Sequence, residues 1–444
     1  MGQLRFTVGI AALLLVSACA SLAMAQTVPC DCLTGTAATG DSSTTDAPTF
    51  DIPDAAAAPA RKSGKSKVDP YSVSGYDDGA MALRATLEIG VVASSNAALT
   101  AGGGADVALR LKPSLSFESE WSRHAWRGSM SAEFVKFAAT PSADSLTGRA
   151  ETAFRLDILH TTHADFAAGF STVETNAGTG EVPGTAMGAR RDSSISTSAG
   201  VTQDFGFFEG QGKVSVQRNL YGDVSLAGGG TETNGDRNYL EPSLSMRGAL
   251  GHEGNVLRPY VEASYDPRLH DQTIDRNGER RNSQGGSVAL GVMFDDGPMW
   301  KGDVAGNFIA RSYDDPALKT AMALGLNGTV TWNPTPLWNI VASSGVALNE
   351  SEVAGVSATQ SWTAGLQATY AWRDNVNFRS GANVTLAASG AALDTTTVAS
   401  LGADWQLNPN MSLSGILQNT WFAPGSGIGG YNEQRVMSSV VLKP

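Results

Sequence analysis

The residues best able to do chemistry in this 444-residue chain are its five histidines. A serine hydrolase needs a histidine within reach of a nucleophilic serine, together with an orienting acid or amide. The first four histidines fall at predicted short turns and the last in a predicted long loop: His124, His160, His163, His252 and His270. No histidine is predicted to lie within a strand beside such a serine. The sequence therefore predicts a protein that is not an enzyme and has no catalytic residue.

Metal binding is the second chemistry to weigh. His160 and His163 could share an ion, but two histidines without a further ligand are weak evidence for a site. The segment 266–283 carries four candidate oxygen ligands for Ca²⁺: Asp271, Asp275, Asn277 and Glu279. It lacks the full calcium-loop pattern, and neighbouring arginines partly cancel its charge. We expect no metal and no cofactor, and ion-mediated contact with lipopolysaccharide remains the alternative reading of this loop.

Bulk composition narrows the class of protein. The net charge of −12 argues against a nucleic-acid partner, because proteins that bind nucleic acid need a basic face. Only 17% of the residues are charged and 50 are glycine, yet the mean hydropathy is −0.11. Beyond the N-terminus, no segment approaches the roughly 20 apolar residues of a membrane helix. A chain that is moderately apolar throughout is typical of strands that alternate apolar and polar residues in a membrane barrel.

The first 25 residues are typical of an export signal. Arg5 is followed by the apolar run from Thr7 to Val16, and Ala23-Met24-Ala25 offers a small-x-small cleavage site. A rival interpretation is a lipoprotein signal in which Cys19 is lipidated. In either case, the sequence predicts that the protein leaves the cytosol.

Residues 26–78 are rich in Ala, Thr, Ser, Asp and Pro, and this composition predicts a disordered periplasmic linker. Cys30 and Cys32 are too close in sequence for an unstrained disulfide, so free thiols and a rare local bridge both stay open. The basic stretch from Arg61 to Lys67 could contact peptidoglycan or a periplasmic protein, or could serve only to solubilise the linker. It does not form a phosphate-binding loop, because Pro59 stands where that loop needs glycine.

From residue 79 to the C-terminus the chain alternates with period two, which indicates β-strands. Short connections alternate with longer Gly-, Asp- and Ser-rich links, predicted at 93–105, 139–145, 174–192, 222–236, 266–283, 349–358, 389–394 and 424–432, with one brief link at 314–316. The breaks delimit about 18 strands, within a range of 16 to 18. The pattern predicts an all-β, antiparallel up-and-down barrel that spans the outer membrane, with its short turns and both chain ends in the periplasm.

Tryptophan placement supports this prediction. Seven of the nine tryptophans lie beside short turns, where an aromatic girdle would meet the membrane interface: Trp121, Trp126, Trp300, Trp332, Trp338, Trp372 and Trp405. A soluble β-sandwich or solenoid would not concentrate them at one end of the strands.

Successive side chains of a strand point to opposite faces, so odd- and even-numbered positions form two sets, and we call the set to which a residue belongs its parity. If the apolar parity faces lipid, the other parity faces the lumen, and that set carries many charges. The candidate pore-lining residues are Arg84, Glu88, Arg110, Arg127, Arg155, Arg247, Arg258, Glu262, Arg311, Arg373 and Arg379. Charges in such numbers are tolerated only in a wet or internally paired interior. Because acids and bases are nearly balanced, the sequence does not specify ion selectivity.

Three segments resemble the outer-membrane β-barrel porin family of alphaproteobacteria. They are EWSRHAW at 120–126, QRNLY at 217–221 and RPYVEASYD at 258–266, and the resemblance covers roughly residues 80–444. It implies a barrel inserted by the outer-membrane assembly machinery, with suspected roles in exopolysaccharide export and no catalytic residues. Such barrels usually end in an aromatic residue, whereas this chain ends in Leu442-Lys443-Pro444.

The sequence thus predicts three segments: a signal peptide at 1–25, a linker at 26–78 and a barrel at 79–444. The predicted function is a porin-like channel for small solutes, or an accessory pore in polysaccharide export. The alternative is a non-conducting, structural barrel that anchors a periplasmic or surface partner. The surrounding partners would be outer-membrane lipid and lipopolysaccharide.

Overall fold

The structure is a computed structural model that describes residues 75–77, 79–175, 186–251, 254–351, 353–425 and 429–443. The predicted signal peptide, the cysteines, the basic stretch and His252 lie outside the described residues, so those predictions remain untested. Among the residues that are described, no helix has the length and apolarity needed to cross a membrane.

Eighteen long strands make up the fold. In chain order they are β1 Met81–Ser94, β2 Asp106–Ser119, β3 Ala125–Phe137, β4 Ser145–Leu159, β5 Thr162–Thr175, β6 Arg190–Asp204, β7 Phe208–Tyr221, β8 Tyr239–Leu250, β9 Leu257–His270, β10 Ser283–Asp296, β11 Trp300–Tyr313, β12 Ala321–Trp332, β13 Trp338–Glu350, β14 Ala358–Arg373, β15 Val376–Ser389, β16 Ala392–Asn408, β17 Met411–Ala423 and β18 Tyr431–Leu442. Short extra pieces are the two-residue strands Tyr76–Asp77, Val224–Ser225 and Thr231–Glu232, and single 3₁₀ turns at Pro141–Ala143 and Gly235–Arg237.

Each strand pairs antiparallel with its neighbours in the chain, and β18 pairs with β1 to close the sheet. The closing register runs from Leu87 opposite Leu442 to Ser94 opposite Arg435. Closure pairs the first long strand with the last, so neither is left as a free terminal strand, and closed barrels of this kind can sit in lipid. The predicted 18-strand antiparallel barrel is confirmed.

Connections at one end of the barrel, here called the short-turn end, are brief, and most connections at the other, the long-loop end, are longer. Two predicted links differ from the structure. The predicted long link at 389–394 is a two-residue turn between Ser389 and Ala392, because Gly390 adopts a φ of 61° and reverses the chain tightly. The link predicted as brief instead spans 314–320, and His270, predicted within a loop, is the last residue of β9.

Side chains along each strand alternate between an outer apolar face and an inner polar one. Leu290 is 67% exposed and Leu324 is 71% exposed on the outer face. Inward-facing Arg110 and Arg155 are buried. Small apolar clusters also lie inside, such as Ala249 with Tyr260 and Ala305. The arrangement is therefore the reverse of that in a soluble protein: apolar side chains lie mainly on the outside of the barrel and charged side chains on the inside.

Large aromatic rings gather at the short-turn end. Trp300 stacks on Trp332 with ring centroids 5.2 Å apart, and Trp338 lies 4.7 Å from Tyr370. Trp121 and Trp126 are 6.4 Å apart across a turn. Trp372 lies 5.8 Å from Phe378 on the next strand, and Trp405 is an exposed residue near the end of β16. The seven tryptophans proposed as a girdle thus lie at one end of the barrel.

The lumen as candidate functional site

The long-loop half of the bore contains a buried ion cluster built from β8, β9, β11 and β13. Its members are Glu241, Asp266, Arg268, Arg311 and Glu350. Arg268 donates from Nε to Glu241 Oε1 at 2.9 Å and from Nη1 to Glu350 Oε1 at 2.7 Å. Arg311 donates to Asp266 and, at 3.0 Å, to the same oxygen of Glu241.

The two arginines of the buried ion cluster are almost completely excluded from water. The Arg268 side chain is 5% exposed and that of Arg311 is 2% exposed. Charges removed from water to this degree persist only when they are paired and hydrogen-bonded. This side of the bore is therefore filled with protein and is not open to solvent.

Three links cover the buried ion cluster, and we call residues 222–238, 271–282 and 353–357 the loop cap. Arg276 donates to Asp236, Glu232 and the backbone carbonyl of Thr233, which joins the first two links. Arg281 Nη1 donates to the Val356 carbonyl at 2.8 Å, which joins the second to the third. The hydrogen bond from Arg276 holds the pKa of the Asp236 carboxyl below its ordinary value.

The loop cap also accounts for the acids that were considered as Ca²⁺ ligands. Asp275 and Glu279 both accept from Arg281, and Asp271 pairs with Arg218. Across the described residues, no three side chains of His, Cys, Asp or Glu converge to hold a metal ion. These carboxylates thus neutralise arginines and tie the links together.

A second group of charges lies on β1, β2, β3 and β18. Arg110 donates to Glu88 at 2.5 Å and makes two 3.0 Å hydrogen bonds to Glu133. Glu433 accepts from Ser94 at 2.6 Å and from Arg435 at 2.9 Å. The inner wall on this side is also internally paired.

The short-turn half contains smaller ion pairs. Arg247 lies 2.7 Å from Glu262 and 3.3 Å from Asp303, and Arg258 lies 2.9 Å from Glu209. The remaining predicted residues lie in this half as well, namely Arg84, Arg127, Arg373 and Arg379 near the ends of β1, β3, β14 and β15. The Arg373 guanidinium rests 4.4 Å from the Trp372 ring, at the rim.

Arg155 belongs to a cluster that includes one of the histidines. It donates to Asp165 at 3.1 Å, and His163 Nε2 lies 3.3 Å from the same carboxylate. His163 also lies 3.3 Å from an Arg155 nitrogen. The side chains that contact His163 here are the Asp165 carboxylate and the Arg155 guanidinium, and neither is the nucleophilic hydroxyl that a hydrolase would require.

The wall formed by β14 to β17 is different, because its inward positions hold mostly small residues. A glycine on each of β14, β15 and β16 lies beside small or polar side chains of its neighbours: Gly365, Gly381 and Gly402. Arg379 pairs with Asp404 at 2.6 Å and stays 45% exposed. Where the wall carries such small side chains, a charge keeps its contact with water.

Sequence reasoning missed Glu350 as an interior residue. The sequence placed it in the predicted link 349–358, whereas in the structure it ends β13 at the parity of the lipid-facing Trp338 and yet binds Arg268 inside the barrel. The cause is a displacement of the end of β13 into the bore, described below. A carboxylate at a lipid-facing parity was the one signal that could have drawn attention to this strand.

Comparison with known proteins gives one family. Residues 69–444 match the family described as Putative beta-barrel porin 2. No curated protein is detectably similar to the chain.

Solved structures with a similar outline are outer-membrane receptors and transporters. The siderophore receptor PirA from Pseudomonas aeruginosa is 10% identical, with a TM-score of 0.36 and 82% of this chain and 80% of PirA covered. The FrpB iron transporter from Neisseria meningitidis (F5-1 variant) is 9% identical, with a TM-score of 0.40 and 83% of each chain covered. At these values, neither neighbour contributes to the assignment of function.

Proposed function

The chain belongs to the family Putative beta-barrel porin 2, and on that premise we propose that it is a channel for small polar solutes through the outer membrane. Its apolar outer face lies in membrane lipid. The long-loop end would face outward, and residues 26–78 would extend into the periplasm, where the stretch from Arg61 to Lys67 could meet peptidoglycan or a protein partner. No enzymatic activity is proposed.

The observation that supports conduction is the contrast between buried and water-exposed ion pairs on the inner face. An 18-strand barrel is wide enough for an aqueous channel. The side chains of Arg149 and Lys301 are 62% and 69% exposed although both have inward parity. Together with Arg379, they place water-exposed charges at three positions around the bore, on β4, β11 and β15, and a path for solutes past the buried ion cluster would run between them.

Planar-bilayer conductance of the purified chain tests this proposal. Arg379→Glu should shift the reversal potential in a salt gradient toward cation selectivity, because it reverses a charge on the path. Arg191→Glu is the matched control: the residue lies on the outer parity of β6, is 53% exposed and pairs with Glu174 outside the loop cap, so it should leave the reversal potential unchanged. Equal shifts for both variants would contradict conduction through the bore.

A non-conducting anchoring barrel is the second candidate, and the loop cap favours it. If the intact chain is silent in a bilayer but shortening of 222–238 or 271–282 opens it, the protein is a plugged pore. If it stays silent with these links shortened and residues 26–78 removed, the anchoring function becomes the better proposal. Assistance to polysaccharide export would be a use of an open channel, and it requires conductance first.

A further inference from the structure

The ladder between β12 and β13 is incomplete. It contains five residue pairs, from Trp332 opposite Ile340 to Gly328 opposite Ser344, and then stops. The flanking ladders, β11 with β12 and β13 with β14, contain 12 and 13 pairs. We call the separated halves, residues 321–327 and 345–350, the β12–β13 seam. It lies in the long-loop half of the wall.

At the seam, β13 moves inside the barrel and overlaps β12. Val346 and Leu348 have the outward parity of Trp338, yet they are each 4% exposed and pack with Ala321 and Ala323 on the inner face of β12. Gly325 permits this close approach, because a Cβ atom there would lie 2.8 Å from the Cβ of Val346. The strands therefore meet as overlapping layers and not edge to edge.

Side chains close the seam where the backbone ladder is missing. The Trp362 indole on β14 donates to the Leu324 carbonyl at 3.0 Å. Ser344 Oγ donates to the Leu326 carbonyl at 2.9 Å, and the Val346 N–H donates to Asn327 Oδ1 at 2.8 Å. Individual side-chain contacts can be broken one at a time, whereas a continuous ladder resists separation.

Apolar surface is present on both sides of this closure. Met322, Leu324 and Leu366 are 54%, 71% and 51% exposed on the membrane side. Inside, the cluster of Val346, Leu348 and their neighbours also includes Ile309 and Tyr313. A hydrocarbon chain that parted the two strands would therefore meet apolar side chains at the membrane end and at the interior end of its route.

The interior cluster adjoins the Arg268 guanidinium, and β13 supplies two of the acceptors to which this group donates. Arg268 donates to Glu350 Oε1 at 2.7 Å and to the Leu348 carbonyl at 3.3 Å. Outward movement of this part of β13 would remove both acceptors. Glu241 on β8 would remain as one counter-charge, and an anionic headgroup could replace the Glu350 carboxylate as the second acceptor, because a buried guanidinium needs its hydrogen bonds satisfied.

We infer that the β12–β13 seam is a lateral opening that admits a single-chain amphiphile with an anionic headgroup, such as a long-chain carboxylate. Its acyl chain lies between β12 and β13, and its headgroup pairs with Arg268. This activity goes beyond axial conduction of small solutes, since the amphiphile moves between the bore and the membrane. The hydrogen bond from the Trp362 indole to the Leu324 carbonyl holds this opening closed.

The test uses proteoliposomes of phosphatidylcholine and a background with Cys30 and Cys32 replaced by serine. Ala323→Cys reports on the seam, and Ala305→Cys is its matched control. Both alanines are 4% exposed on inward positions of adjacent strands, but Ala305 lies in complete ladders on both sides of its strand, whereas the β12–β13 ladder stops short of Ala323. Each variant is treated with N-dodecylmaleimide dissolved in the membrane and with a charged, water-soluble maleimide, and modification is followed by mass spectrometry.

We expect the ratio of membrane-borne to water-borne labelling rates to be at least tenfold higher at Ala323→Cys than at Ala305→Cys. Trp362→Phe should raise the membrane-borne rate at Ala323→Cys about threefold or more. Trp421→Phe, a lipid-facing tryptophan at the same end of the barrel, should not. Equal ratios at the two cysteines, or no response to Trp362→Phe, would overturn the lateral opening.

Three further measurements make the outcome of the labelling test unambiguous. Heat-modifiable gel mobility identifies folded barrels, and Ser344→Ala replaces Trp362→Phe if the latter does not fold. Palmitate should slow labelling at Ala323→Cys while hexadecanol, with the same chain and no charge, should not; equal protection would overturn the role of Arg268. Ion conductance of the same samples is measured separately. If the samples do not conduct but the labelling shows an open seam, only the proposed channel function is rejected.

Discussion

Two sides of the bore differ in the size of the side chains that point inward and in how far their charges are exposed to water. On the β8 to β13 side, large charged residues meet in the buried ion cluster beneath the loop cap. On the β14 to β17 side, small residues such as Gly365 and Gly381 leave space, and the pair Arg379–Asp404 stays in contact with water. The same barrel thus combines a filled half with a half that can hold solvent.

This contrast shows that a count of lumenal charges does not by itself describe a pore. Arg268 and Arg379 both have inward parity, yet one is 5% exposed and the other is 45% exposed. The first stabilises the packing of strands and links, and the second is available to solutes. Substitutions on the two sides should therefore have effects of different size on different measurements.

The largest expected effect is on folding stability at the buried ion cluster. Arg268→Met leaves Glu241 and Glu350 without their shared partner, and breaking a buried pair costs about 3–5 kcal/mol. Arg379→Met, the counterpart in the small-residue wall, should cost less than about 1 kcal/mol because exposed pairs are screened by water. Denaturant titrations in lipid vesicles measure both; comparable losses would show that the two sides are not energetically distinct.

A smaller effect is expected where the same wall faces lipid. Leu366 on β14 is 51% exposed on the outer face, and Leu366→Arg should cost roughly 2–4 kcal/mol near the membrane midplane. Gln367→Arg, one position along with the opposite parity, should be tolerated because it enters the wet side of the bore. If refolding titrations gave the same value for both, the inside and outside faces of β14 would have been assigned wrongly.

The loop cap should respond to acid, and the small-residue wall should not. Because Arg276 holds the pKa of Asp236 below its ordinary value, this carboxylate stabilises the cap above its unfolded-state pKa. The stabilisation is lost as the pH falls through the lowered, folded-state pKa. Amide hydrogen exchange of 222–238 and 271–282 should therefore accelerate in that acidic window. Asp236→Asn should accelerate it already at neutral pH and leave a weaker pH dependence; a wild-type dependence in this variant would assign the response to other groups.

The smallest effect on the barrel is expected from loss of the N-terminal region. Limited proteolysis should remove residues 26–78 and leave a resistant body that begins near Gly79, with unchanged thermal stability. Tyr76 and Asp77 pair with Leu83 and Ala82, so the protected body could begin a few residues earlier. Cuts inside the body with an intact N-terminus would overturn this boundary.

Local sequence pattern was sufficient to predict the barrel. Alternating residues, turn-forming segments and tryptophans beside the short turns report directly on which face of a strand meets lipid, because side chains alternate with period two. That is why the strand number and antiparallel order were predictable. The link at 389–394 was overestimated because Ser389, Gly390 and Asp394 are residue types compatible with a loop, whereas Gly390 makes a two-residue turn.

Parity also determined which charges face inward, but it could not determine their partners. Glu241 and Arg268 come from the consecutive strands β8 and β9, but Glu350 comes from β13, and it reaches the interior only because β13 leaves the wall. A side chain's parity is set by its own strand, whereas burial and pairing depend on where that strand lies relative to the others. The sequence by itself therefore determined a charged lumen inside a membrane barrel, and only the tertiary structure decided which half is filled and where the wall is incomplete.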